Sequence, residues 1–410
     1  MDLLSRPGGR KLAFALLYFS EGAPIGFLWW ALPTLLRERG VALEEIGALV
    51  SLLALPWALK FLWAPLVDLL RGPRWTLRAW ILSSQALMAL SLLPLAWLDQ
   101  GAALGTLGLV LLVHALAAAT QDVAIDALAI RATPASERGS LNGWMQAGML
   151  TGRALFGGGA LLARDALGVR GTILLLAAAV AATMPVVLAC RDRSPAPGAS
   201  RALGEFAGRL RRAFARRGTW AGLAFAAVGG AGFEGVGALA GPYLVDLGRG
   251  ASSAGWFFSG PAVLLMIPGS LLGGRFSDRA GRRASVAASL LAIVVAVAAV
   301  AFVPTLVPGS GTAVFVPLGA LYFAIGLFTA SSYALFMDLT DPALGATQFS
   351  AFMGATNLCE SWAARAASLA APRFGYPVAF LGLALASLAA LPVLAFCRRE
   401  REPRLRVGEP

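Results

Sequence analysis

Charge is scarce in this 410-residue chain: Asp, Glu, Lys and Arg together make 14%, against 58% hydrophobic residues. A soluble domain carries nearer a quarter charged residues. A multispanning membrane protein is therefore expected, with apolar surface turned to lipid as well as to protein. Histidine is nearly absent, and the lone His114 excludes a His-Glu-x-x-His zinc site or a histidine-rich metal cage. Lysine occurs only at Lys11 and Lys60, after Arg10 and Leu59. No Gly-Lys-Ser/Thr phosphate loop exists, which excludes ATP hydrolysis by that route. The Gly-x-Ser-x-Gly elbow of serine hydrolases is missing too. Cys190, Cys359 and Cys397 show no pairing pattern and read as free thiols. The expectation is a non-enzyme with no catalytic residues, metal or cofactor.

Long apolar runs fill the space that charge leaves. Twelve are of helix length: 12–36, 45–67, 79–98, 104–130, 140–163, 172–190, 219–242, 253–276, 285–305, 313–338, 347–371 and 377–396. They are continuous rather than alternating, which favours helices over a barrel. The first is too long for a signal-peptide core and has no small-residue cleavage site after it, so it reads as a span. The net charge of +12 would suggest nucleic acid in a soluble protein. Here arginine clusters at Arg6 and Arg10, at 191–217 and after 398, as the positive-inside rule places it. The expected fold is all-α: two six-helix bundles at 1–190 and 219–396, a basic linker at 191–218 and a tail at 397–410, with linker and both termini cytoplasmic. The linker opens with Ser194-Pro195-Ala196-Pro197-Gly198 and continues as a basic amphipathic helix on the membrane surface.

One charged turn organises the second half: Gly273-Gly274-Arg275-Phe276-Ser277-Asp278-Arg279-Ala280-Gly281-Arg282-Arg283. A weaker copy stands earlier as Pro65-Leu66-Val67-Asp68, then Arg71, Gly72, Arg74 and Arg78. Two copies imply two related halves. Asp68, Gly274, Asp278, Arg279, Gly281 and Arg282 are the expected gating residues, with the second-half turn carrying more of the latch. The repeat also pairs Glu21-Gly22 with Glu234-Gly235, Asp126 with Asp338 and Arg153 with Arg365.

Buried charge is costly in a membrane and marks candidate function. Glu21 and Glu234, each beside glycines, are expected proton or substrate sites, with a structural ion pair as the alternative. Asp122 and Asp126 are four residues apart, on one helix face, and Lys60 or Arg131 is the expected counter-charge. Arg153 and Arg365 suit an anionic substrate; Glu360, near Arg365, is the competing partner. His114 reads as a hydrogen-bonded interior residue. Trp29, Trp30, Gln146, Tyr333 and Asn357 are weaker cavity candidates.

The Gly-x-x-x-Asp-Arg-x-Gly-Arg-Arg pattern of 274–283 resembles the loop signature of the major facilitator superfamily. The runs Leu55–Asp68 and Gln121–Asp126, the opening Phe19–Phe27 and the region Ala334–Asn357 resemble its AmpG-type branch: muropeptide permeases, acetyl-CoA transporters and siderophore importers. The first-half loop departs from the signature in its spacing. The resemblance implies two bundles around a central cavity, alternating access, a proton gradient as driving force, import, and a monomer in a bacterial inner membrane. Three readings stay open: proton-coupled import of a small anionic metabolite, export of drugs or metabolites on the same fold, and a membrane-embedded transferase.

Overall fold

The computed structural model describes residues 2–38, 41, 43–72, 75–97, 104–191, 199–307 and 312–397, and every regular element among them is helical. Helix α1 (Pro7–Gly26) starts on a proline, whose missing N–H costs nothing at that position. Pro24 removes an internal donor, and the chain passes through a π-helical turn, Phe27–Ala31, into α2 (Leu32–Glu38). Helix α3 (Leu43–Leu59) stops at a 3-10 turn, Lys60–Leu62, before α4 (Ala64–Leu69). The break has a local cause: Pro65 has no N–H to give to the preceding turn.

Helices α5 (Leu77–Leu95), α6 (Leu104–Ala132) and α7 (Arg138–Phe156) follow. Helix α8 (Gly158–Ala181) is broken at Gly168, whose φ of 64° suits glycine alone. That break falls between the expected spans 140–163 and 172–190. After α9 (Met184–Leu188) comes α10 (Ala199–Ala215), the linker helix. The second half holds α11 (Arg217–Val228), α12 (Ala231–Asp246), α13 (Gly250–Ser259), α14 (Pro261–Ala280), α15 (Arg282–Leu306), α16 (Phe315–Leu339), α17 (Gly345–Phe374) and α18 (Tyr376–Ala389).

Nine helical stretches among the described residues are long and apolar enough to cross a membrane, as a multi-pass membrane protein requires. The expected spans 45–67, 140–163 and 347–371 are helical but fall outside those nine. The first is interrupted at Lys60, and the other two carry many Gly, Ser, Thr, Asn and Gln residues. Arg74, the linker residues 194–198 and the arginines from Arg398 onward lie outside the described residues.

Helix α7 is the central pillar. It packs on α1 along one side and on α14 and α16 along the other. Glycine allows both approaches. A Cβ on Gly152 would stand 2.6 Å from the Phe19 carbonyl oxygen of α1, and one on Gly143 would stand 2.6 Å from the Ser270 carbonyl oxygen of α14. Helix α17 meets α12 and α11 on its own side, and α6 and α4 across the molecule.

Candidate functional site

Two adjoining cavities lie between these helices. The larger, about 620 Å³, is lined by Glu21 and Tyr18 of α1, Lys60 at the α3–α4 break, Asp122 and Asp126 of α6, Arg153 of α7 and Glu360 of α17. The smaller, about 350 Å³, is lined by Glu234 of α12 and by aromatic rings from α11, α12 and α16. Gln146, Met149, Arg153, Tyr333, Asn357 and Glu360 line both, so those side chains form a shared wall between the two.

The break between α3 and α4 turns Lys60 inward, where it is 5% exposed and paired with Asp122. Asp126, one turn on, accepts the Tyr18 hydroxyl instead. Glu21 is 2% exposed, and its Oε2 has no hydrogen-bond partner among the described residues. The Nε of Arg153 and the Nε1 of Trp57 are likewise without partners. The Trp57 ring meets Trp29 edge-on at 5.2 Å, forming one wall. An unpaired carboxylate and an unpaired guanidinium nitrogen facing a cavity can exchange protons or hold a polar ligand.

One end of the helix bundle is closed by charge. Asp68 accepts the Thr347 N–H and hydroxyl at 2.8 Å each, and the Ala346 N–H at 3.4 Å. It thereby caps the first turn of α17, whose amides have no partner within the helix. Asp278 does the same for α7, accepting the Gly139 N–H at 2.8 Å and the Ser140 N–H at 2.6 Å. Arg282 donates to Asp278 at 2.6 Å and to Asp338 at 2.8 Å, and Arg138 donates to Asp338 at 2.9 Å. Arg71 lies 3.7 Å and Arg131 4.0 Å from Asp68. Both caps join the end of a helix in one half of the sequence, α4 or α14, to the start of a helix in the other.

The structure thus brings Glu21, Lys60, Asp122, Asp126, Arg153, Glu234 and Glu360 to the two adjoining cavities, and places Asp68 at one capped helix start and Asp278 with Arg282 at another. Arg365 and Arg279 are exposed and join neither group; Gly274 packs against the Gly139 backbone, and Gly281, with φ 90°, makes the turn. Trp29, Gln146, Tyr333 and Asn357 line the cavities, while the Trp30 side chain is outside the described residues. His114 Nδ1 lies 3.1 Å from Ser91 Oγ and 3.0 Å from the Met88 carbonyl.

Two repeat pairings need correction. Asp126 faces the cavity, whereas Asp338 sits in the ion network; Arg153 lines the cavity and Arg365 does not. The capped helix starts set another register: Arg153 lies 14 residues after Gly139, and Glu360 14 residues after Ala346. Arg153 and Glu360 are therefore the equivalent positions. Sequence reasoning missed Tyr18, Arg138 and Thr347, which are too ordinary in type to signal a role before their partners are in place.

Comparison with known families decides what these elements belong to. The profile of the Major Facilitator Superfamily matches residues 14–364, with a further match over 245–410. The chain belongs to the major facilitator superfamily. Within it, the chain is similar to the anhydromuropeptide permease of Escherichia coli strain K12, 31% identical over 171 residues, covering 41% of this chain and 35% of that protein. A putative transporter, AmpG 3 of Rickettsia prowazekii, is 28% identical over 138 residues, covering 32% of each chain. These matched stretches span about a third of the relatives' own length. The fold is similar to that of the major facilitator transporter FucP in its outward conformation, with TM-score 0.68, 15% identity and coverage of 95% and 99% of the two chains. Membership of this family, with the AmpG-type likeness, speaks for a permease and against a transferase.

Proposed function

We propose that the chain is a secondary active transporter of twelve spans, with both termini cytoplasmic, working as a monomer in a bacterial inner membrane. Its two six-helix halves, 1–190 and 219–396, rock about the central cavity and expose it to one side at a time. The two helices too polar for a simple span, α7 and α17, turn that polarity to the cavity and the ion network, and the broken span 45–67 brings Lys60 to the same cavity. The two caps at Asp68 and Asp278 hold the cytoplasmic end shut, and the linker 191–218 and tail 397–410 are cytoplasmic.

The observation that carries this reading is the buried Glu21 with its unpartnered oxygen, beside the Lys60–Asp122 pair. A carboxylate in that setting gains or loses a proton according to what else fills the cavity. Proton binding and cargo binding are thereby coupled, and import driven by the proton gradient is the proposed direction. Arg153 offers the cargo a fork for a carboxylate or phosphate. A small metabolite with a negative group, such as a muropeptide or siderophore, is the proposed cargo class. Export of drugs or metabolites by proton antiport is the second reading on the same fold.

Proteoliposomes containing the chain and an internal pH dye separate the two. With anhydromuropeptides, ferric siderophores and coenzyme A esters offered in turn, import predicts accumulation of one of them and internal acidification when the outside is made acidic. Loss of internal cargo under that same gradient would favour export, and cargo movement indifferent to the gradient would end the proton-coupled reading.

A further inference from the structure

The smaller cavity has a chemistry of its own. Two carboxylates, Glu234 and Glu360, line it, and Arg153 at its border is the one cation among its lining residues. The other walls are aromatic: Phe225, Phe233, Tyr322, Phe328, Tyr333 and Phe336. All of these rings but Tyr322 form a connected surface. Phe233 meets Phe328 at 5.7 Å, Phe328 meets Phe225 at 6.1 Å, and Tyr333 meets Phe336 at 6.5 Å. Three helices supply them, so the wall is held by the fold and not by one flexible loop.

Acidic side chains outnumber basic ones across the two adjoining cavities. Five carboxyl groups line them (Glu21, Asp122, Asp126, Glu234 and Glu360) against the two cations Lys60 and Arg153. Lys60 is committed to Asp122. Arg153 then faces the remaining carboxylates alone. An excess of carboxylates in a low-dielectric cavity is relieved by protonation, as proposed for Glu21, or by positive charge brought in with a ligand. Aromatic faces beside carboxylates suit one ligand chemistry in particular: an ammonium group, drawn to the ring quadrupoles and to the acids together.

We propose that the smaller cavity is an organic-ammonium site, so that the cargo carries an amine as well as an anionic group. The ammonium sits against Glu234, Glu360 and the aromatic wall, and the anionic group reaches Arg153. The equivalent positions Arg153 and Glu360 thus present opposite charges to the two ends of one molecule. This rests on the transporter reading above and adds the polarity of the cargo to it.

Choline and its uncharged isostere 3,3-dimethyl-1-butanol test the assignment by equilibrium binding to the full chain in lipid nanodiscs. Choline is expected to bind saturably at millimolar concentration and at least about tenfold more tightly than the isostere. Glu234→Gln is expected to weaken choline about tenfold, while Glu234→Asp, which keeps the charge, retains it. Equal binding of the two probes, absence of saturable choline binding, or full choline affinity in Glu234→Gln would each overturn the proposal. The assay needs neither flux nor a gradient. Proton-coupled transport without choline discrimination would defeat the ammonium site alone, and choline binding without gradient-driven transport would defeat the proton-coupled reading alone.

Discussion

Glu21 and Glu234 hold matching places in the sequence repeat, each followed by glycine, yet their surroundings differ. Glu21 is enclosed by other polar groups: the Lys60–Asp122 pair, the Tyr18–Asp126 contact and Arg153. Behind it, α1 and α7 meet backbone to backbone. Glu234 is half-buried against phenylalanine and tyrosine, with Glu360 acting on it electrostatically and no lysine near. The surroundings of Glu21 hold one ion pair and several further charged groups, whereas those of Glu234 are mostly aromatic. We read the contrast as a proposed division of labour: a first half, with its Lys60–Asp122 pair, that moves protons, and an aromatic-lined second half that holds cargo. The two caps show the opposite trend. Their loop sequences have diverged, yet Asp68 and Asp278 cap helices of opposite halves with nearly the same geometry.

The contrast is broken most severely by Lys60→Met. It leaves Asp122 buried and unpaired, at a cost of about 3 to 5 kcal/mol. Thermal unfolding in detergent should show a large loss of stability, which the double variant Lys60→Met/Asp122→Leu recovers. Glu234→Gln, with no counter-ion to strand, should stay within about 1 kcal/mol of the parent. Equal losses in the two halves would remove the distinction.

Next in size is the seam behind Glu21. A Cβ on Gly148 would stand 2.7 Å from the Ala15 carbonyl carbon, whereas one on Gly237, near Glu234, meets nothing within 4 Å. Gly148→Ala should cost about 2 to 3 kcal/mol by overpacking. Gly237→Ala should be neutral or gain up to about 1 kcal/mol of helix propensity. Both are read from the same unfolding curves, and a tolerated Gly148→Ala would show that the seam can open.

The smallest effect, and the one that sharpens the symmetry, concerns the caps. Asp68→Asn and Asp278→Asn each remove charge from bonds to helix N–H groups, worth about 1.5 to 3 kcal/mol where fully formed. Similar increases in maleimide labelling of a cysteine placed beneath each cap are expected, with cargo affinity little changed. All three native cysteines are buried, so the background should be low. A large effect from Asp278→Asn alone would return the latch to the second half, as the better-kept loop signature suggested.

Much of this fold was legible in the sequence because the bilayer imposes length and polarity on every span. Apolar runs, the Asp278 turn and the intramembrane charges needed no partner to be noticed. The Lys60–Asp122 pair was anticipated as one of two choices, and the fold chose it by breaking α3 next to Pro65. The register of the repeat was not legible. Matching residue types paired Arg153 with Arg365, whereas capped helix starts pair it with Glu360, and a change of charge at equivalent positions hides from any comparison of like with like. The aromatic wall was hidden for another reason. Phe225, Phe233 and Phe328 lie among 22 phenylalanines of an apolar chain, and only packing distinguishes a cavity wall from a lipid-facing side chain.

The division of labour rests most directly on Glu21. Proteoliposomes carrying Glu21→Gln should be compared with the parent for whichever of anhydromuropeptides, ferric siderophores and coenzyme A esters the parent accumulates. Uphill accumulation under an imposed proton gradient should be lost, while exchange of labelled for unlabelled cargo at equal pH persists. Undiminished uphill accumulation by Glu21→Gln would contradict the account.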